Sequence, residues 1–212
     1  MKRTKQQAIM EPANETESRL LDCALTLFAS QGYAATSVRD IIGAAGVTQP
    51  VLYYYCKNKE DLFRRLVRWK HDNAYEGLAN LRKKTTDCAE RLRILMRGSF
   101  AFSAADPRVP QLMFQTFYGP PIEGIAEFIE ALTARRYKTI VRIMADGLSD
   151  GTLDGGTAES LALIFCCVMD QHINIYTRIA SNASALTPQL ADHLLDVFLR
   201  GAGTDRSHVS KR

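Results

Sequence analysis

The chain of 212 residues is 46% hydrophobic and 24% charged, with a net charge of +4 and a pI near 8.8. This ordinary globular composition supports a hydrophobic core, and the mild positive charge permits nucleic-acid binding without demanding it. The five cysteines include no C-x-x-C pair and no accompanying histidine cluster, so neither a zinc site nor a disulfide framework is indicated, and a reducing cytoplasm is expected.

The N-terminal segment Met1–Lys5 is basic, but a polar stretch follows it in place of an apolar core, so no signal peptide is predicted. Residues 1–14 are expected to form a flexible basic arm. The basic residues of this arm either stay solvated or reach an adjacent groove of bound DNA, and they are Lys2, Arg3 and Lys5.

Leucines and a phenylalanine recur at helical spacing from about residue 15 to residue 30, and Gln31-Gly32 is typical of a helix end. This first helix is expected to support the segment that follows it, residues 36–59. That segment governs the interpretation of the whole chain.

Residues 36–59 predict two short helices joined at a glycine. Ser37 caps the first helix, and Asp40, three residues later, completes a capping-box-like pair. Gly46 supplies the turn, because glycine accepts a positive φ without strain. Pro50 falls in the first turn of the second helix, where a missing N–H costs nothing. This pattern indicates a helix-turn-helix, whose second helix can enter the DNA major groove.

The surface of the second helix suits DNA recognition. Its exposed residues lie outside the apolar set and are Gln49, Pro50, Tyr53 and Tyr54. A glutamine can read adenine bidentately, an arginine such as Arg39 can reach guanine, and a proline can contact a thymine methyl group. Tyrosine hydroxyls and Lys59 can hold phosphates.

The same segment carries motifs that are specific to one family. They are Gly32-Tyr33, Thr36–Ile41, Ala45–Thr48, Leu52–Tyr55 and Lys57–Leu62. In these motifs the chain resembles the DNA-binding domain of the tetracycline-repressor (TetR) family. The resemblance implies base contacts from Arg39, Gln49, Pro50 and Tyr54. It implies phosphate contacts from Ser37, Thr48, Tyr53 and Lys59.

Two positions depart from the majority pattern of the family. Cys56 stands where most members carry phenylalanine, so it should pack less surface against the first helix and slightly lower the stability of the domain. Pro50 stands where many members carry glycine, so an operator sequence cannot be taken from the glycine-containing majority.

The remainder of the chain is predicted to be helical. Asn58 caps a long fourth helix that runs to about Leu81 and connects the DNA-reading unit to everything after it. A polar break follows at residues 83–86. Further helices are expected up to Asp106-Pro107, over residues 112–118, from Ile122 to Leu148, and over residues 158–180 and 188–199, with no alternating strand pattern.

The predicted fold class is all-α, with an N-terminal three-helix helix-turn-helix DNA-binding domain and a C-terminal helical domain for dimerisation and ligand binding. The expected divisions are the arm, residues 1–14; the DNA-binding domain, residues 15–75; the helical domain, residues 76–200; and a disordered polar tail, residues 201–212. The longest strongly apolar run, residues 161–169, is too short to span a bilayer.

The helical effector domains of the resembled family bind a small molecule between their helices. Aromatic and methionine side chains with a few polar tips are the candidates for such a pocket, and they are Phe100, Met113, Phe114, Phe117, Tyr118, Met144, Met169, His172 and Tyr176. Such residues at helical spacing equally fit a core, and His172 equally fits a hydrogen-bonded interfacial histidine.

The helix over residues 158–180 is apolar on nearly every side, so we expect it to be buried on more than one face. Pairing of this helix and the last helix with their copies across a two-fold axis would cover the excess apolar surface. The expected residues of this homodimer interface are Phe165, Leu190, Leu194 and Phe198.

The sequence therefore predicts a cytoplasmic, homodimeric transcriptional regulator that binds a near-palindromic DNA operator, most simply as a repressor that a small-molecule effector releases. An activator of the same family is one alternative. A helical small-molecule-binding protein or enzyme with a vestigial helix-turn-helix is another. The chain has no nucleophile elbow, phosphate-binding glycine loop or metal-binding histidine pair, and no catalytic residue, metal or cofactor is expected.

Overall fold

The computed structural model describes residues 12–82 and 85–202 of the chain, and within these the side chains of residues 12–71 and 85–201. The expected N-terminal arm and C-terminal tail therefore lie almost entirely outside the described residues. Part of the polar break at residues 83–86 lies outside them as well.

The described part of the chain is all-helical, as predicted. The α-helices are α1, Glu15–Ala35; α2, Val38–Ala45; α3, Gln49–Tyr55; α4, Lys59–Arg82; α5, Cys88–Ala105; α6, Arg108–Tyr118; α7, Ala126–Ser149; α8, Ala158–Asn174; and α9, Pro188–Ala202. A π-helical turn, Ile175–Ile179, extends α8, and a short 3-10 helix, Ala183–Ala185, precedes α9. Over the same residues, no helix has the length and apolar character needed to cross a membrane.

The predicted helix-turn-helix is confirmed as α2 and α3. The Asp40 N–H donates to Ser37 Oγ at 3.1 Å, and the Ser37 N–H donates to Asp40 Oδ2 at 2.9 Å, which closes the predicted capping box. Gly46 follows α2 with φ +62°, in the left-handed conformation that glycine adopts without a steric penalty. Pro50 lies in the first turn of α3, and Asn58 Oδ1 caps α4, both as predicted.

One hydrophobic core joins α1 to α4 with α6 and the start of α7. Glu17 of α1, only 1% exposed, forms an ion pair with Arg65 of α4 beside this core. Cys56 is buried in it, and its Sγ donates to the Leu52 carbonyl at 3.4 Å. The buried apolar residues of the core include Leu20, Leu21, Leu25 and Phe28 of α1, Ile41 of α2, Leu52 of α3, Phe63 and Leu66 of α4, Val109 and Leu112 of α6, and Ile129 of α7.

The domain boundary expected near residue 75 does not coincide with a break in the packing. It falls inside α4, which is continuous from Lys59 to Arg82. Val109 and Leu112 of α6 belong to the same core as α1, although they follow that boundary in the sequence. The DNA-reading unit and the helical body therefore share a packed surface as well as a connecting helix.

A second core holds α5, α7, α8 and α9 together. Its residues include Leu92, Leu95, Met96 and Phe100 of α5, Ile140, Ile143 and Met144 of α7, Leu161, Phe165, Met169 and Ile173 of α8, and Ala191, Leu195 and Phe198 of α9. The rings of Phe165 and Phe198 meet edge to face with their centres 5.6 Å apart, an arrangement that aromatic pairs favour.

Several helix boundaries differ from the sequence prediction, and the backbone around α7 and α8 shows the reason for two of them. α7 begins at Ala126 and not at Ile122, because Gly124 has φ +75° and the residues before α7 form a turn in which the Ile125 N–H donates to the Ile122 carbonyl at 3.0 Å. α8 was expected to continue to residue 180, but it widens into the π-helical turn after Asn174.

The turn at Gly46 makes a testable prediction about stability. An L-residue in the left-handed conformation costs roughly 1–2 kcal/mol, so we expect Gly46→Ala to lower the free energy of unfolding by about 1 kcal/mol. Gly43 lies inside α2, and a Cβ at either glycine would meet no other atom within 4 Å. Gly43→Ala is therefore the matched control and should raise the free energy of unfolding by roughly 0.5–1 kcal/mol in urea titrations followed by circular dichroism. If both substitutions changed the free energy of unfolding in the same direction, the left-handed conformation of Gly46 would be contradicted.

Candidate DNA-binding surface and effector cavity

The side chains expected to contact DNA lie mainly on the solvent side of the helix-turn-helix. Tyr54 is 82% exposed and Tyr53 is 46% exposed, so two aromatic rings of α3 face water instead of the core. Five more of these side chains are also exposed, and they are Ser37, Arg39, Thr48, Gln49 and Pro50. The structure thus brings hydrogen-bonding, cationic and apolar groups to one accessible unit, as direct readout of base edges requires.

The two hydroxyl residues of this surface differ in their local bonding. Ser37 Oγ donates to Asp40 Oδ2 at 2.7 Å, and the Ser37 N–H donates to the same oxygen at 2.9 Å; these two bonds hold the pKa of Asp40 below its ordinary value. Thr48 begins α3 but makes no side-chain capping bond. The Thr48 hydroxyl therefore does not cap α3.

Lys59 differs from the other expected DNA contacts because it is half-buried. Its Nζ donates to the carbonyl oxygens of Tyr33 and Thr36, each at 2.9 Å, and lies 4.2 Å from the centre of the Tyr33 ring. Burial lowers the pKa of this ammonium group. An ammonium group has three N–H donors, so these two bonds leave one for a phosphate. Lys59 also fastens the start of α4 to the segment that leads into α2.

A cavity of about 450 Å³ lies between α4, α5, α6, α7 and α8. This volume is within the range of small-molecule sites, and the walls are mostly apolar. The apolar lining includes Leu66, Leu95, Phe102, Leu112, Met113, Phe114, Phe117, Leu132, Leu163 and Ile173.

Four of the expected pocket residues line the cavity, and all four belong to α6: Met113, Phe114, Phe117 and Tyr118. Three others, Phe100, Met144 and Met169, do not line this cavity; they are at most 1% exposed and fill the second core. Helical spacing identifies an apolar face, but it does not say whether that face meets another helix or an open space.

The last two pocket candidates, His172 and Tyr176, are not among the residues that line this cavity either. His172 does not line the cavity, and its Nδ1 lies 2.7 Å from the Val168 carbonyl, one turn earlier on α8. Tyr176 packs against the second core from the π-helical turn.

The sequence analysis missed most of the polar lining of the cavity. Arg136 of α7 and Asp170 of α8 form an ion pair, with Arg136 Nη2 at 2.6 Å and 2.5 Å from the two carboxylate oxygens. Asp170 interrupts an otherwise apolar helix, and this interruption is the sequence feature that could have indicated a polar group in the cavity wall. The other polar lining residues include Lys70, His71, Ser99, Ser103, Thr133, Tyr137 and Gln171. Among the described residues, no group of three or more His, Cys, Asp or Glu side chains could hold a metal ion.

α8, its π-helical turn and α9 carry large exposed apolar side chains, which together are named the exposed apolar strip. It consists of Leu163, Ile164, Ile175, Ile179 and Val197, and Ile179 is 74% exposed. Two of the expected interface residues, Phe165 and Phe198, are buried in the second core, with exposures of 0% and 7%. Leu190 and Leu194 are half-buried against the same core. Because α8 is apolar on nearly every side, its sequence does not show which side faces inward.

Sequence comparisons identify the N-terminal unit. The profile of the bacterial regulatory proteins of the tetR family matches residues 20–66, from α1 into α4. The transcriptional activator FasR of Mycolicibacterium smegmatis is 32% identical over 107 residues, which are 50% of this chain and 49% of FasR. The chain thus spans about half the length of FasR. The transcriptional repressor KstR2 of Mycobacterium tuberculosis is 33% identical over 143 residues, which are 65% of this chain and 69% of KstR2.

Solved structures share the whole fold. The ketosteroid transcriptional regulator KstR2 of Mycobacterium tuberculosis superposes with a TM-score of 0.75 at 20% identity, over 92% of this chain and 98% of KstR2. The regulator FadR of Bacillus subtilis, in complex with stearoyl-CoA, superposes with a TM-score of 0.71 at 18% identity, over 87% of this chain and 98% of FadR. The helix-turn-helix, the match over residues 20–66 and the similarity to KstR2 lead to one conclusion: this chain belongs to the tetR family of bacterial regulatory proteins.

Proposed function

We propose that this protein is a transcriptional regulator that reads its operator through α2 and α3. The observation that carries the proposal is the capped helix-turn-helix whose exposed surface presents Arg39, Gln49, Pro50 and Tyr54. These residues supply the hydrogen bonds and apolar contacts that distinguish base pairs in the major groove. A bacterial regulator that binds its operator would act in the cytoplasm, where the DNA lies.

Repression is the mode that we propose, as in KstR2, and activation, as in FasR, is the alternative. A reporter gene behind the DNA upstream of the protein's own gene separates the two modes. Deletion of the regulator should raise reporter expression if it is a repressor and lower it if it is an activator.

A homodimer is the second part of the proposal. The exposed apolar strip of α8 and α9 would be covered by the same strip of a second copy across a two-fold axis. A dimer also presents two α3 helices to successive major grooves, which lie about 34–36 Å apart, and this geometry predicts a near-palindromic operator.

A small-molecule effector in the cavity is the third part. The lining of α6 is aromatic and apolar, whereas Lys70, His71 and the Arg136–Asp170 pair supply polar groups. This combination suits a molecule with an apolar body and a polar end. FadR, which shares the fold, was solved in complex with stearoyl-CoA, so acyl thioesters are the first class to test.

Base contacts from α2 and α3 make a testable prediction. We expect Arg39→Ala or Gln49→Ala to relax the preference at one operator position by roughly 1–3 kcal/mol, since one base contact is lost. The measurement is binding to a set of duplexes that differ at single positions. Arg135→Ala is the control, because Arg135 is exposed on α7, away from the helix-turn-helix. A uniform loss of affinity for all duplexes would argue against base reading.

Phosphate contact makes the second prediction. We expect Lys59→Met to weaken binding to every duplex and to reduce the slope of log K against log salt by about 1, because one phosphate contact disappears. The same change removes the donor to the Tyr33 and Thr36 carbonyls, so the domain should also lose roughly 1–3 kcal/mol of stability. A lower stability with an unchanged salt slope would assign Lys59 a structural role alone.

The dimer makes the third prediction. We expect Ile164→Asp and Ile179→Asp to yield folded monomers, because each places a charge in the exposed apolar strip. Sedimentation velocity gives the mass, and circular dichroism gives the helix content. Phe165→Asp is the contrasting variant and should unfold the protein, because it places a charge in the second core. Dimers that persist with both strip variants would move the interface elsewhere.

The effector makes the fourth prediction. Stearoyl-CoA should raise the melting temperature, and at 100 times its dissociation constant it would stabilise the native state by about 2.7 kcal/mol. Coenzyme A without an acyl chain is the control ligand and should have little effect. Ser99→Trp should abolish the shift, because the larger side chain fills part of the cavity. An equal shift in that variant would place the ligand outside the cavity.

A further inference from the structure

α6 contacts both the cavity and the DNA-reading unit. Met113 and Phe114 face the cavity. From the same helix, Gln115 Nε2 donates to the Ala29 carbonyl of α1 at 2.8 Å. Val109 and Leu112 both line the cavity and enter the core that α1 builds. A shift of α6 relative to the cavity would therefore change its contacts with α1 directly.

A chain of charged groups follows the same route. Lys70 Nζ, on the cavity side of α4, lies 3.3 Å from Asp106 Oδ2 at the end of α5. The two oxygens of Asp106 accept Arg108 Nε at 2.8 Å and Nη2 at 3.0 Å. Arg108 begins α6 and also reaches α1, with Nη2 at 2.7 Å from Asp22 Oδ1 and Nη1 at 2.8 Å from Thr26 Oγ1.

Asp106 and Arg108 are both held in their charged forms. Burial alone would raise the pKa of Asp106, but the hydrogen bonds from Arg108 and the charges of Arg108 and Lys70 more than offset it, and the pKa lies below its usual value. The hydrogen bonds to Asp106 and Asp22 raise the pKa of Arg108. The guanidinium is thus shared between two carboxylates on different elements.

Lys70 is the group through which a ligand could act on this chain of charges. Its carboxylate partner, Asp106, does not line the cavity, whereas Arg136 is neutralised by Asp170 inside the cavity wall. The Lys70–Asp106 contact is long for a charge-assisted hydrogen bond, so an anionic group in the cavity competes with it at little cost.

We propose that Lys70 recognises an anionic group on an otherwise apolar effector, and that Asp106 and Arg108 transmit this event to α1. The inference rests on the proposed function of the cavity as the effector site. When the Lys70 ammonium turns towards the ligand, Asp106 retains Arg108 as its cation. Arg108 then moves closer to Asp106 and loosens its hold on Asp22 and Thr26, so the orientation of α1 and of the helix-turn-helix packed on it changes.

The transmission step can be tested without a ligand. Lys70→Met keeps a side chain of similar length but removes the ammonium group from Asp106, as a ligand would when it draws Lys70 into the cavity. With a duplex that the wild type selects from a random library, Lys70→Met should lower the affinity about tenfold, a coupling within the usual allosteric range. Arg108→Gln breaks the chain at the next step, so the double variant Lys70→Met/Arg108→Gln should bind no more weakly than Arg108→Gln alone.

Arg97→Gln is the matched control for Arg108→Gln. Arg97 of α5 also holds one carboxylate with two nitrogens, that of Asp192 on α9, and this pair lies outside the route to α1. The control should leave DNA affinity unchanged within about twofold, as expected for an exposed ion pair. Amide hydrogen exchange over residues 19–31 supplies a readout that needs no DNA, and it should be faster in Lys70→Met and unchanged in Arg97→Gln.

The recognition step is tested with decanoate and decanol, which differ in the charge of their head groups. Lys70 Nζ lies 4.5 Å from the centre of the Trp69 ring, so the fluorescence of the one tryptophan in the chain reports on its movement. The wild type should prefer decanoate about tenfold, a difference that one charged contact can supply, and Lys70→Met should lose the preference.

The outcomes separate the two proposals. A wild type that selects no DNA sequence, or that binds neither probe, contradicts the proposed function itself. The role of Lys70 is tested when the wild type selects a DNA sequence and binds the probes. If Lys70→Met then keeps the decanoate preference, Lys70 does not recognise the anionic group. If Lys70→Met leaves DNA affinity and amide exchange in α1 unchanged, the charged chain does not transmit the binding event.

Discussion

The packing of α6 against α1 is the contact on which the rest of the structure depends. Leu112 and Val109 complete a core that the first four helices leave open, and Gln115 and Arg108 add polar bonds to α1 on the same side. Val109 and Leu112 also line the cavity, together with other residues of α6. One short helix therefore contacts both α1 and the cavity, and a displacement of α6 changes both contacts.

α4 provides the second link, through the covalent chain. Lys59 fixes its first turn to the Tyr33 and Thr36 carbonyls, and Arg64 donates to the Gly124 carbonyl just before α7. Further along, Lys70 faces the cavity. The helix thus has polar contacts with the segment before α2 and with the loop before α7, and it also lines the cavity. The helical body is therefore connected to the helix-turn-helix in two ways, covalently through α4 and by packing through α6.

The features that the sequence predicted correctly are local ones. Ser37 with Asp40, Gly46 and Pro50 each act within a few residues, because capping and turn formation depend on neighbouring backbone groups. The features that it missed depend on which element meets which. The Arg108–Asp22 pair joins residues 86 positions apart, and no pattern in the sequence marks it.

The helical body shows the same limit. Phe165 and Ile164 are neighbours on a helix that is apolar all round, yet Phe165 is buried in the second core and Ile164 faces outward. Phe100 and Phe102 likewise lie on one helix, and only Phe102 reaches the cavity. Periodicity assigns residues to faces, whereas tertiary packing decides the surroundings of each face.

The core shared by α1 and α6 restricts how this protein can be divided and recombined. A DNA-reading fragment cut after residue 75 would retain the apolar side chains of α1 that Val109 and Leu112 cover in the intact chain. A graft of this fragment onto another helical body would therefore need a matching α6 surface as well as a continuous α4. Exchange of operator specificity between relatives is accordingly easier through the exposed residues of α2 and α3 than through replacement of the whole unit.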